Sequence, residues 1–120
     1  MDTRTKILDA EAAVAAADEA RRAGKTVKLV AGTFDPLLAA HARRLREIAG
    51  EGSVLFAAVR EPVRPLLAAQ ARAELVAALG VVDYVVLGEA PLRPDEVYRE
   101  ESADARRRQD LIRNVQKRQS

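Results

Sequence analysis

A three-layer α/β fold with a short parallel sheet is predicted by three features of this 120-residue chain. Apolar, β-branched runs at 26–31, 53–59 and 81–87 alternate with segments of helical spacing. That order places helices on both faces of parallel strands. The runs show little polar alternation, as strands covered on both faces do. Glycines stand where each helix must stop: Gly24, then Gly50 with Gly52, then Gly80. Strand–helix–strand units of this length cross over right-handed, so the expected architecture is Rossmann-like.

Taken in order, Asp9 is the N-cap of an alanine-rich helix over 10–23, with Glu11 adding favourable charge to its first turn. The first strand, 26–31, ends at Gly32 and turns through 32–36. A second helix, 37–49, places Leu37, His41, Leu45 and Ile48 on one face and turns Arg43, Arg44, Arg46 and Glu47 outward. Strand 53–59 leads into the proline-punctuated loop 60–65, a third helix over 66–79, and strand 81–87. Loop 88–94 precedes a charged tail, 95–120, read as helical, with Leu111, Ile112 and Val115 as its apolar stripe. One domain is expected, made of an N-terminal helix region (1–25), a core (26–90) and the tail (91–120).

Composition narrows the function classes. Lys plus Arg (20) exceeds Asp plus Glu (18) by two, so no overall field draws the chain to nucleic acid, and none is expected as a partner. Arg106-Arg107-Arg108, Lys117 and Arg118 follow Glu100, Glu101 and Asp104 without aromatic stacking partners, which reads as a solvated, salt-bridged helix. The absence of cysteine excludes disulfides and thiolate metal sites and fits a cytoplasmic protein. No apolar run is long enough to cross a bilayer, and no signal-peptide core follows the N-terminus.

Strand, glycine turn and helix start, over Val27 to His41, form the arrangement that presents backbone N–H groups and a positive helix end to an anion. The segment Gly32-Thr33-Phe34-Asp35-Pro36-Leu37-Leu38-Ala39-Ala40-His41 resembles the G-x-F-D-x-x-H-x-G-H signature of the cytidylyltransferase-like nucleotidyltransferases. The similarity is greatest to the heptose-phosphate adenylyltransferase domain. It covers about 6–89 and includes Lys6-Ile7-Leu8, Arg72 in Gln70-Ala71-Arg72-Ala73-Glu74-Leu75, and Val82-Asp83-Tyr84-Val85-Val86.

The resemblance implies a reaction in which a phosphorylated small molecule attacks a nucleoside triphosphate (CTP or ATP, brought with Mg²⁺) and releases pyrophosphate. In that family two histidines stabilise the charge at the attacked phosphate. Here Leu38 replaces the first, Ala40 replaces the glycine, and His41 alone remains. Losing one such donor costs about a hundred- to a thousand-fold in rate, so the site is degenerate. The family's late serine/threonine phosphate loop is also missing, and two parallel strands are expected to be absent. Strand 26–31 would then be an open edge, covered either by the C-terminal segment or by a second copy of the chain, and a homodimer is expected. The alternative reading is a non-catalytic nucleotide-binding or protein-interaction module.

Each candidate residue carries two readings. His41 contacts phosphate or is a packed histidine on its helix face. Gly32, Thr33 and Phe34 offer backbone donors or only shape the turn. Asp35 caps the second helix or contacts substrate or metal. Arg60 and Arg64, after the second strand, hold phosphate or are solvated. Arg72 lies near the nucleotide in the family and is otherwise a helix-surface partner of Glu74 or a neighbour. One histidine and no cysteine leave no basis for a metal cluster.

Overall fold

The alanine content of the first helix decides how closely it lies on the sheet. In the computed structural model, which describes residues 3–35, 37–62, 64–100, 106, 109 and 111–113, α1 (Ala10–Arg22) buries Ala13, Ala17 and Ala20. Its start is fixed as the sequence predicts, Asp9 accepting the Ala12 N–H at 2.7 Å. Its end closes at Gly24, φ 77°, with Lys25 N–H bonded to Ala20 O and Gly24 N–H to Arg21 O, a turn that favours glycine. Asp9→Ala should lower the unfolding free energy by about 1 kcal/mol, read by urea titration.

After a 3-10 turn at Thr3–Lys6, the strands are β1 (Ile7–Leu8), β2 (Thr26–Gly32), β3 (Ser53–Val59), β4 (Tyr84–Leu87) and β5 (Glu96–Arg99), with α2 (Ala39–Ala49) and α3 (Ala69–Ala77) between them. All strands are parallel, in the order β1-β4-β3-β2-β5. The α/β, Rossmann-like expectation holds, with a sheet of five strands where three were read.

Two layers of side chains fill the molecule. Val30, Leu55, Ala57, Val59 and Val85 face α2 and α3, meeting Leu45, Ile48, Ala73 and Val76. Val27, Val54, Phe56 and Val86 face α1. Lysines close helix ends from the sheet side: Lys28 Nζ donates to Ile48 O and Ala49 O of α2, and Lys6 Nζ to Leu79 O and Val82 O beyond α3.

The tail is where the sequence reading needs correction. Residues 96–99 are not helical but form β5, paired with β2 from Lys28↔Glu96 to Ala31↔Arg99. β2 is therefore internal, and the reason for expecting a second copy along it is removed. The edge on this side is β5, four residues with Glu96 and Arg99 among them, short and charged as tolerated edges are, and the other edge is the two-residue β1. Residues 88–95 reach β5 without a helix, running back across the α1 face. Leu92 is buried there, Arg21 donates to the carbonyls of Leu92 and Arg93, and Asp95 exchanges two bonds with Val27 at 2.8 Å. Beyond it, Arg106, Gln109 and 111–113 are helical. Pro36, Val115, Glu101, Asp104, Arg107, Arg108, Lys117 and Arg118 lie outside the described residues.

Candidate functional site

The chain steps from β2 to β3 to β4 in one direction and then places β5 on the other side of β2. Ligands of open α/β sheets sit outside the carboxyl ends of strands where the order reverses, here β2 and β5. Arg60 N–H donates to Gly32 O at 2.8 Å and Glu100 N–H to Ala31 O at 2.7 Å, so both neighbours stay paired to the end of β2. From there the chain turns through 33–35 into α2, whose first-turn N–H groups and dipole favour an anion.

Phe34 makes that turn in a left-handed conformation, φ 48°, which costs a bulky residue about 1–2 kcal/mol. Burial compensates: the ring is 1 % exposed and packs on the His41 imidazole at 5.5 Å between centroids. His41 itself is 3 % exposed, and its Nδ1 accepts the Leu38 N–H at 2.8 Å. A nitrogen that accepts this bond is not available as a donor to a phosphate. The imidazole thus performs the work of a helix cap while Leu38, at the N-cap position, has no polar group to offer. An open imidazole beside the loop is not what the fold provides.

Asp35 corrects a second expectation. It does not cap α2: its carboxylate, 2 % exposed, accepts Leu66 N–H at 2.6 Å and Leu67 N–H at 2.8 Å. It thereby ties the turn after β2 to the segment that enters α3. Arg72 corrects a third. Neither a surface residue nor a partner of Glu74, it is fully buried. Its guanidinium donates to Leu67 O, Thr33 O and Arg60 O at 2.7–3.1 Å and pairs with Glu61 at 2.7 Å. Asp35 and Arg72 together bind the loops after β2 and β3 into one unit.

The remaining candidates are nearer to solvent. Arg60 pairs through Nη1 with Glu89 at 2.8 Å, and Arg64 is exposed on the same loop. Gly32 is buried and Thr33 half-buried. The β5 side is closed by Arg44 of α2, which donates to Glu100 at 2.5 Å and lies 5.7 Å over the Tyr98 ring. The Glu100 hydrogen bond raises the Arg44 pKa, and Glu96, accepting from the Tyr98 hydroxyl, holds that phenol above its ordinary range. Among the described residues no three His, Asp or Glu side chains come together as a metal site. Sequence reasoning missed Glu61 and the Leu66 and Leu67 amides, whose partners are 11 to 32 residues away in the chain.

No protein-family model matches the chain. Among curated proteins it is similar to the bifunctional protein HldE of several bacteria. The match to that of Syntrophotalea carbinolica is 40 % identical over 76 residues, 56 % of this chain and 16 % of the relative. For Geobacter metallireducens it is 36 % over 103 residues, 77 % and 21 %; for Geobacter sulfurreducens, 33 % over 95 residues, 72 % and 19 %. The chain spans about a fifth of the length of these relatives. With the parallel sheet, the glycine turn after β2 and this similarity together, the chain belongs to the cytidylyltransferase-like nucleotidyltransferase superfamily.

Proposed function

We propose that the chain binds the phosphates of ATP or CTP at the 32–41 segment and that its nucleotidyl transfer is reduced to a trace. The observation that carries this reading is the buried Asp35–Arg72 framework, which holds the turn after β2 beside the start of α2 at the reversal of strand order. A preorganised turn spends no binding energy on ordering itself. In the complete reaction, an oxygen of a phosphorylated acceptor attacks the α-phosphorus and forms the new P–O bond. The bond from the α-phosphorus to the bridging oxygen breaks, and pyrophosphate leaves with its electron pair. The 32–35 turn and α2 would hold the phosphates and Arg64 the outer charge. Mg²⁺ would arrive on the nucleotide, since both Asp35 oxygens already accept N–H groups.

A specific observation favours binding without transfer. The one family histidine that remains is committed to Leu38 N–H and covered by Phe34. Among the described residues no helix is long and apolar enough to cross a membrane, and a cytoplasmic setting goes with nucleotide binding.

Thermal unfolding with ATP or CTP and Mg²⁺, beside a pyrophosphate-release assay on sugar and polyol phosphates, tests the reading. At a ligand concentration a hundred times Kd the fold should gain about 2.7 kcal/mol, a rise of several degrees. A rise without release leaves a binding module; no rise with either nucleotide overturns the proposal.

A further inference from the structure

On the α1 face of the sheet, at the same carboxyl end, the crossing segment 88–95 leaves an open depression of about 360 Å³. Leu29, Val97, Pro91 and Pro94 give it an apolar lining. Val97 is 46 % exposed, unusual for a strand valine with a covering segment so near. Two guanidinium groups, Arg60 and Arg99, line it with a single carboxylate, Glu89. That carboxylate is itself four-fifths exposed, so the Arg60–Glu89 pair is a weak, solvated one. Arg60 Nε is buried and, among the described residues, has no hydrogen-bond partner. A buried donor left unsatisfied marks a place where a missing acceptor belongs. Among those residues Arg99 has no carboxylate partner either.

We propose that this depression is a subsite for a phosphomonoester with an apolar body, the acceptor of the reaction above. Arg60 and Arg99 take the phosphate, which displaces Glu89 and supplies the acceptor that Arg60 Nε lacks. The apolar body lies on Leu29, Val97 and the prolines, a surface that gains more by covering apolar groups than by covering the hydroxyls of a polyol. The volume suits a small ligand. Arg60 also anchors the subsite to the nucleotide side, because its backbone N–H holds Gly32 O. The role as acceptor rests on the nucleotide reading; the preference for an apolar phosphomonoester does not.

The test is an NMR titration of the full chain with phenyl phosphate, glycerol 1-phosphate and, separately, ATP with Mg²⁺. Phenyl phosphate should shift the Leu29, Val97 and Arg99 amides saturably and bind about tenfold more weakly to Arg99→Ala. Glycerol 1-phosphate should bind at least about fivefold more weakly than phenyl phosphate, for want of the apolar body. Shifts that do not saturate, an unchanged Kd in Arg99→Ala, or equal binding of the two phosphates each overturn the subsite. ATP is read on different amides, those of 32–35 and α2, so failure there overturns the nucleotide reading and not the depression.

Discussion

Placing histidine at position 38 should raise pyrophosphate release by about a hundred- to a thousand-fold, the worth of one preorganised donor to developing charge. Leu38 is the N-cap of α2, in an extended conformation at φ −115°, ψ 164°, and half-buried. A side chain there stands at the positive end of the helix, where an imidazole donor adds to backbone N–H groups already oriented toward an anion. The substitution leaves the existing cap in place, because His41 Nδ1 accepts from the backbone N–H of residue 38 and not from its side chain. Ala40→Gly restores the rest of the signature but places glycine in the first helical turn, at a cost of up to about 1 kcal/mol, and should change the rate far less. Single-turnover release of pyrophosphate from ATP with a phosphorylated acceptor is the measurement. A Leu38→His variant that binds ATP as the parent does yet releases no more pyrophosphate would show that the loss of transfer lies elsewhere in the site.

What could be read from the chain follows the range of the forces involved. Strand β3 coincides with the predicted 53–59, because a run apolar on both faces has few other places to go. The ends of α1 were legible because Asp9 and Gly24 act within a turn of their own position. β1 is two residues long and is defined only by Ile7↔Val85 and Leu8↔Val86, a pairing across most of the chain. β5 is only Val97 and Tyr98 between Glu96 and Arg99 inside a charged tail, too short a run to show a strand period, so local pattern favoured helix. The bonds that make it a strand come from Val27 and from the β2 backbone. The site divides in the same way. The glycine turn and the α2 start were visible in the motif, whereas the inward course of Arg72 and the reach of Asp35 to Leu66 and Leu67 depend on a loop 31 or more residues away.

Arg72→Met should lower the unfolding free energy by about 3–5 kcal/mol, the largest single loss expected in this chain. Methionine fills most of the volume but leaves the carbonyls of Thr33, Arg60 and Leu67 without their donor, and each buried carbonyl so abandoned costs about 1–3 kcal/mol, less than additively. Lysine should recover little of this: its three donors share one nitrogen, while the guanidinium spreads its bonds over Nε, Nη1 and Nη2 toward three sides. Glu61→Gln is the contrasting change. Glu61 is two-thirds exposed and glutamine keeps an acceptor oxygen, so a loss of at most about 1 kcal/mol is expected. Urea midpoints at constant m-value separate the three variants. Because Arg72 holds the Thr33 carbonyl, the same loss should reach the nucleotide site: folded Arg72→Met at low temperature should bind ATP more weakly than Glu61→Gln does. If Arg72→Met unfolds within 1 kcal/mol of the parent, the carbonyls have found other donors and the guanidinium does not hold the two loops together.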